Sequence, residues 1–207
     1  MPQVKIGVLV SGSGTNLQSI IDNIEKGNIN GKIEVVISNK KDVFGLERAR
    51  QNNIDAVFVN QKEYENIELF DEAIIKELQS RNVELVILAG YLKILTAKFI
   101  ETYKNKIINI HPSLIPSFCG KGHYGIKVHE AAIHYGVKIS GATVHFVDEN
   151  ADTGPIILQE AINVEFEDDA ETLQKKILEI EHEILPKAVK YYCDGKIEII
   201  DRKVKIN

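Results

Sequence analysis

Short runs of valine and isoleucine recur through the first half of the chain, each followed by a segment with apolar residues at helical spacing. The runs are residues 4–10, 33–38, 56–59, 85–88 and 107–110. Near-continuous apolar runs of this length suit strands buried on both faces. Between them, Phe70, Ile74 and Leu78 repeat every four residues and form one stripe of a helix. Strand–helix alternation predicts parallel pairing through right-handed crossovers, with helices on both faces of the sheet. The expected fold class is therefore α/β, with a Rossmann-like, mostly parallel twisted sheet. Residues 141–147 and 156–162, joined by a loop with Asp152, Gly154 and Pro155, predict an antiparallel extension near the C-terminus. A long helix is expected over residues 170–192, then a hairpin-like tail around 194–206. The 207 residues contain no repeats, low-complexity tracts or long linkers, so the chain reads as a single domain, 1–207.

Charge and cysteine count narrow the function classes. Lys and Arg total 25 against 30 Asp and Glu, a net charge of −5. A nucleic-acid-coating surface needs a basic footprint, so no nucleic-acid partner is expected. No apolar stretch approaches the roughly 18 residues that cross a bilayer, and the N-terminal apolar run stops at glycines, unlike a signal peptide. Two cysteines, Cys119 and Cys193, are too few for a disulfide framework or a cysteine-rich metal site. The expectation is a cytoplasmic protein that binds small molecules, without a metal or a membrane.

In open α/β sheets, ligands gather beyond the C-terminal ends of the strands. The first such segment is Ser11-Gly12-Ser13-Gly14-Thr15-Asn16. Small residues let the backbone approach an anion, and a helix start offers unpaired N–H groups. A dinucleotide fingerprint would need glycine at position 17, where Leu17 stands, and an acidic residue near Ser38-Asn39. A P-loop lysine is also missing. Taken alone, the loop fits either a mononucleotide-type phosphate site or a tight turn capped by Thr15 or Asn16.

Asn109 and His111 stand two apart at the end of the fifth run and so project to one side. Unpaired buried polar groups cost about 1–3 kcal/mol, so two on one face at the ligand-bearing end need a reason. One is a structural Asn–His hydrogen bond. The other, which we favour, is acyl-type chemistry: an amide N–H stabilises an oxyanion and an imidazole moves protons near neutral pH. Asp152, inside Asp-Thr-Gly-Pro, reads by itself as a turn residue; beside an active-site histidine it would raise and orient the imidazole. In the long helix, about 100° per residue places Glu181 inside the face formed by Leu173, Ile177, Ile180, Ile184, Leu185 and Ala188. A buried salt bridge, a rim position or a ligand contact would each account for it.

Taken together, SGSGTNLQ, SNK followed by FGLERAR, LAGYLKIL, NIHPSLIPSF and GATVHFVDENADTGPIILQ resemble the folate-dependent formyltransferases. The likeness runs in order through nearly the whole chain. The glycine loop placed directly on the first strand resembles the branch acting on glycinamide ribonucleotide. The resemblance implies that a formyl group moves from 10-formyltetrahydrofolate, a co-substrate, to the amine of glycinamide ribonucleotide in purine synthesis. It assigns Asn109, His111 and Asp152 to catalysis, and Gly12, Ser13, Gly14, Thr15 and Asn16 to the substrate phosphate. Glu181 would meet the ribose hydroxyls. Tyr91, Leu92, Lys93, Ile94 and Leu95 would border the pterin, and the stretch from Val147 and Asp148 would close over the same ring. The chain departs from the family pattern in a longer stretch at residues 116–128, with Cys119 where proline is usual, and in Lys93 where arginine is common.

Rival readings share parts of this pattern. A formyltetrahydrofolate hydrolase has the same trio but usually an added N-terminal domain and His-His-Ser in place of His111-Pro112-Ser113. A methionyl-tRNA formyltransferase adds a basic C-terminal domain, for which this chain is too short and too acidic. A nucleotide-binding module without chemistry has no need of the Asn109/His111 pair. A metal hydrolase could draw on His111, His123, His129, His134 and His145, but His129 and His134 are five apart and miss the helical i,i+4 pairing.

Overall fold

The computed structural model describes residues 2–207. Its contacts gather into two compact units, one ending at Ile108 and the other running Asn109–Asn207. In the first, β1 (Val4–Val10), β2 (Gly31–Ser38), β3 (Asp55–Phe58) and β4 (Leu85–Leu88) lie in the order β3-β2-β1-β4. The pairs β1–β2, β2–β3 and β1–β4 are all parallel. Parallel neighbours need crossovers, and α1 (Thr15–Glu25), α2 (Phe44–Gln51) and α3 (Ile67–Ser80) supply them, with α4 (Ala97–Thr102) after β4. Ile6, Val8, Leu9 and Val10 have no exposed surface, as a central strand covered on both faces requires. In α3, the Asn66 side chain caps the start by accepting from Leu69 N–H at 2.9 Å, and Phe70, Ile74 and Leu78 are all buried.

The strand order reverses at β1. The chain moves outward through β2 and β3, then returns to β4 on the other side. At such a switch the loops leaving β1 and β4 diverge and open a crevice. Here they remain tied: Ser11 N–H donates to Gly90 O at 3.2 Å, and Leu92 N–H to Ser11 Oγ at 3.0 Å.

The strand β5 (Ile107–His111) begins in the first unit and ends in the second. The second unit continues with α5 (Ile126–Tyr135), β6 (Ile139–Phe146), β7 (Ile156–Asn163), α6 (Ala170–Cys193), β8 (Ile197–Ile200) and β9 (Lys203–Ile206), in strand order β5-β6-β7-β9-β8. The pairs β6–β7 and β8–β9 are antiparallel. The fold class is thus α/β, mostly parallel, with an antiparallel extension. Two details differ from the sequence pattern. β5 extends through His111, and β9 of the tail hairpin joins β7 in parallel, through Ile156 and Lys203. α6 starts on Asp169, which accepts from Thr172 N–H at 2.8 Å, and continues through Pro186, where Ile184, Leu185, Ala188 and Val189 are buried. Among the described residues, no helix is long and apolar enough to cross a membrane.

Candidate active site

The second unit brings Asn109, His111 and Asp152 together, and adds His145. Asn109 and His111 leave the end of β5, Asn109 half-buried and His111 buried. His111 Nδ1 lies 3.6 Å from Asp152 Oδ2, and His145 Nε2 lies 3.7 Å from Asp152 Oδ1. Asp152 has φ 57°, in the left-handed region that aspartate tolerates better than most residues. Its loop depends on Gly154, where a Cβ would collide with the Phe146 carbonyl, while Phe146 N–H donates to Pro155 O at 2.9 Å. Thr153 Oγ donates to Asp148 Oδ1 at 2.5 Å, and the Arg202 guanidinium donates to Thr153 O at 2.7 Å.

Carbonyl partners settle the imidazole tautomers, because a carbonyl oxygen only accepts. His145 Nδ1 meets Phe146 O at 2.8 Å, so Nδ1 carries the hydrogen and Nε2 holds a lone pair. Asn109 Nδ2 then donates to that Nε2 at 3.2 Å, which turns the carboxamide and leaves its second N–H free of this bond. His111 Nε2 meets Phe118 O at 3.0 Å and is the protonated nitrogen of that ring. Its Nδ1 faces the carboxylate, so a second proton there would make a charged pair with Asp152. Burial is the largest influence on His145 and holds it below the ordinary imidazole range, against the opposing pull of the Phe146 carbonyl and Asp152. A neutral His145 is what Asn109 requires. Burial, reinforced by His111, also holds His129 of α5 down to about 4.

A polar brace supports the turn after β5. Thr143 Oγ donates to Ser113 O at 2.6 Å and accepts from Ile115 N–H at 3.1 Å; Gln159 Nε2 reaches both Thr143 Oγ and Ile115 O at 3.0 Å. Asp152 Oδ2 also accepts from Gly120 N–H at 2.8 Å. In the sequence His145 stands out only as one of the histidines of the metal-hydrolase rival, and Thr143, Gln159 and these backbone groups do not stand out at all. The one available signal was that Thr143 and His145 are two apart, like Asn109 and His111.

In the first unit, the glycine loop meets α1 at Gly14, not at Thr15 or Asn16. Gly14 is the N-cap at φ 71°, without a side-chain cap bond. This corrects the capped-turn alternative: the N-cap residue is Gly14, and Thr15 and Asn16 are the first two residues of α1 itself. A Cβ on Gly14 would lie 2.6 Å from Gly45 Cα, whereas a Cβ on Gly12 would meet nothing within 4 Å. The close approach explains why FGLERAR accompanies the loop. Gly45 N–H donates to Gly12 O at 3.1 Å, and Arg48 Nε donates to Ser13 O at 2.9 Å. In the segment after β4, Tyr91 and Leu95 are buried, Lys93 is half-buried, and Leu92 and Ile94 are 50% and 69% exposed. Buried Asp71 anchors it by accepting from Thr96 N–H at 2.7 Å, a contact the sequence reading did not foresee. Glu181 is buried in α6, 7% exposed, and Val147 and Asp148 are half-buried just beyond β6. Among the described residues, no group of three or more His, Cys, Asp or Glu is arranged to hold a metal ion.

A family model described as "Formyl transferase" matches residues 4–189. The chain is 44% identical to phosphoribosylglycinamide formyltransferase of Haemophilus influenzae over 198 residues, covering 95% of this chain and 91% of that protein. It is 42% identical to the trifunctional purine biosynthetic protein adenosine-3 of Chironomus tentans over 98% of this chain, which spans only 14% of that much longer protein. Glycinamide ribonucleotide transformylase 1 from Symbiobacterium toebii superposes with a TM-score of 0.94 at 43% identity, covering 99% of this chain and 94% of that one.

Proposed function

The chain belongs to the formyl transferase family, and on that premise we infer that it carries the formyl group of 10-formyltetrahydrofolate to the amine of glycinamide ribonucleotide. The carrying observation is the arrangement of Asn109, His145, His111 and Asp152, in which one amide N–H and one imidazole nitrogen are left for chemistry. The neutral substrate amine attacks the formyl carbon and produces a tetrahedral oxyanion. The second N–H of Asn109 is suited to stabilise that charge in a preorganised way. His111 takes up a proton at Nδ1, where Asp152 supports the imidazolium, and the pair relays protons as the folate nitrogen leaves. The chemistry requires neither a metal nor a covalent enzyme intermediate.

The binding roles follow the same reading. Gly12, Ser13, Gly14, Thr15 and Asn16 receive the substrate phosphate on backbone N–H groups at the start of α1. Glu181 accepts from the ribose hydroxyls. Tyr91, Leu92, Lys93, Ile94 and Leu95, with Val147 and Asp148, take the pterin, and the exposed Leu92 and Ile94 offer apolar surface to it. We read residues 1–207 as one formyltransferase domain, an interpretation supported by the family match across both units and by the continuity of β5. The protein acts in the cytoplasm on small molecules, without a nucleic-acid or membrane partner.

The test mixes purified protein with 10-formyltetrahydrofolate, with and without glycinamide ribonucleotide, and follows folate release by absorbance. Release is expected only with the nucleotide present. Equal release with water alone would replace this reading with formyltetrahydrofolate hydrolysis.

A further inference from the structure

Residues 116–128, the stretch that departs from the family pattern, supply two backbone groups to the catalytic pair. Phe118 O accepts from His111 Nε2 at 3.0 Å, and Gly120 N–H donates to Asp152 Oδ2 at 2.8 Å. Both residues occupy the left-handed region, Phe118 at φ 49° and Gly120 at φ 82°. For glycine that conformation is easy, but for phenylalanine it is uncommon and persists only where the surroundings hold it. Here they do. Ser113 Oγ donates to Ser117 O at 2.6 Å and approaches Phe118 O at 3.4 Å. The Phe118 ring meets Tyr135 edge-on at 5.9 Å and His123 at 6.4 Å between centroids.

We propose that the backbone of residues 118–120 is the positioning element of the His111–Asp152 pair, locking the imidazole as its Nε2–H tautomer and holding the carboxylate against Nδ1. The Phe118 carbonyl commits Nε2, so proton exchange at His111 is confined to Nδ1, 3.6 Å from Asp152 Oδ2. The Gly120 N–H satisfies one lone pair of that oxygen and limits how far the carboxylate can turn. One turn of chain therefore sets both partners at once, and the side chain at position 118 matters chiefly through the φ it permits.

This proposal rests on the reading of His111 and Asp152 as catalytic, and the test separates the two. Phe118→Val and Phe118→Gly both delete the ring contacts, but only glycine accepts the left-handed φ without strain. Phe118→Gly is expected to keep kcat on the order of tenfold or more above Phe118→Val, because small misplacements of reacting groups are costly. Both KM values should stay within about threefold of each other between the two variants, since the groups act on the reacting atoms. Imidazole ¹⁵N spectra of the unmodified protein should show neutral His111 as the Nε2–H tautomer; an Nδ1–H tautomer would overturn the proposal without any variant having to fold. Equal kcat in the two Phe118 variants, with His111→Asn inactive, would remove the clamp and leave the trio standing. An active His111→Asn would remove both.

Discussion

Asn109 has two amide hydrogens, and the structure commits one of them to His145. What remains is a single oriented donor, worth most when charge develops beside it. Asn109→Ala and His111→Ala are therefore each expected to lower kcat by roughly 10²–10³, with smaller changes in KM, in steady-state assays against both substrates. Asp152→Asn should be comparably harmful, and full activity in any one variant would take that residue out of the mechanism. Asn109 and His111 were legible in the sequence because polar residues two apart at the end of a Val/Ile run cost too much to be idle. His145 was not. β6 is buried along nearly its whole length, so no alternation marks the residue, and a register shift between Val144 and His145 interrupts its pairing with β7. A bulge of that kind re-aims a side chain, and only the paired strand reveals it.

At the scale of elements, the two glycines of the loop after β1 separate into different jobs. Gly14 carries a positive φ and faces Gly45 of α2 too closely for any side chain, so Gly14→Val should lower Tm whatever its effect on binding. Gly12 has open space around a would-be Cβ. A valine there should leave Tm nearly unchanged and raise KM for the nucleotide much more than for the folate. Equal rises for both substrates would mean the loop is not a phosphate site. The glycine spacing was readable from sequence, but the division of labour came from α2, 31 residues on by the Gly14–Gly45 contact. α6 poses a parallel question. Helical periodicity alone placed Glu181 on the apolar face, and it is buried there. Glu181→Gln, nearly isosteric, is expected to weaken nucleotide binding while folate affinity and Tm hold. A large loss of Tm with normal KM would show the carboxylate to be structural.

For the molecule as a whole, the buried histidines tie stability to pH. Burial and the neighbouring His111 hold His129 down to about 4 in the folded chain, against an ordinary 6.5 when unfolded. Between those values the unfolded chain binds more protons, so stability rises with pH and is lost on acidification from about 6.5 toward 4. For this one group the loss by pH 5 comes to about 2 kcal/mol, and burial pushes His145 in the same direction. Denaturant titrations at pH 7 and pH 5 should show the difference, and His129→Leu should reduce it; an unchanged slope would mean His129 is charged in the folded state. None of this was visible in the chain's pattern, because a histidine at position 129 carries no mark of its burial. Local pattern was enough for the strands, the helices, the parallel class of the fold and the candidate pair Asn109 and His111, since periodicity and the cost of buried polar atoms are properties of short segments. Asp152 by itself reads as a turn residue, and only the family resemblance joins it to them. The tertiary structure alone decided the tautomers, the partners Phe118 and Gly120, the capping of α1 at Gly14, and the pairing of β9 with β7. Those are hydrogen bonds and close approaches between residues far apart in the chain, and they exist only once packing has chosen which distant groups meet.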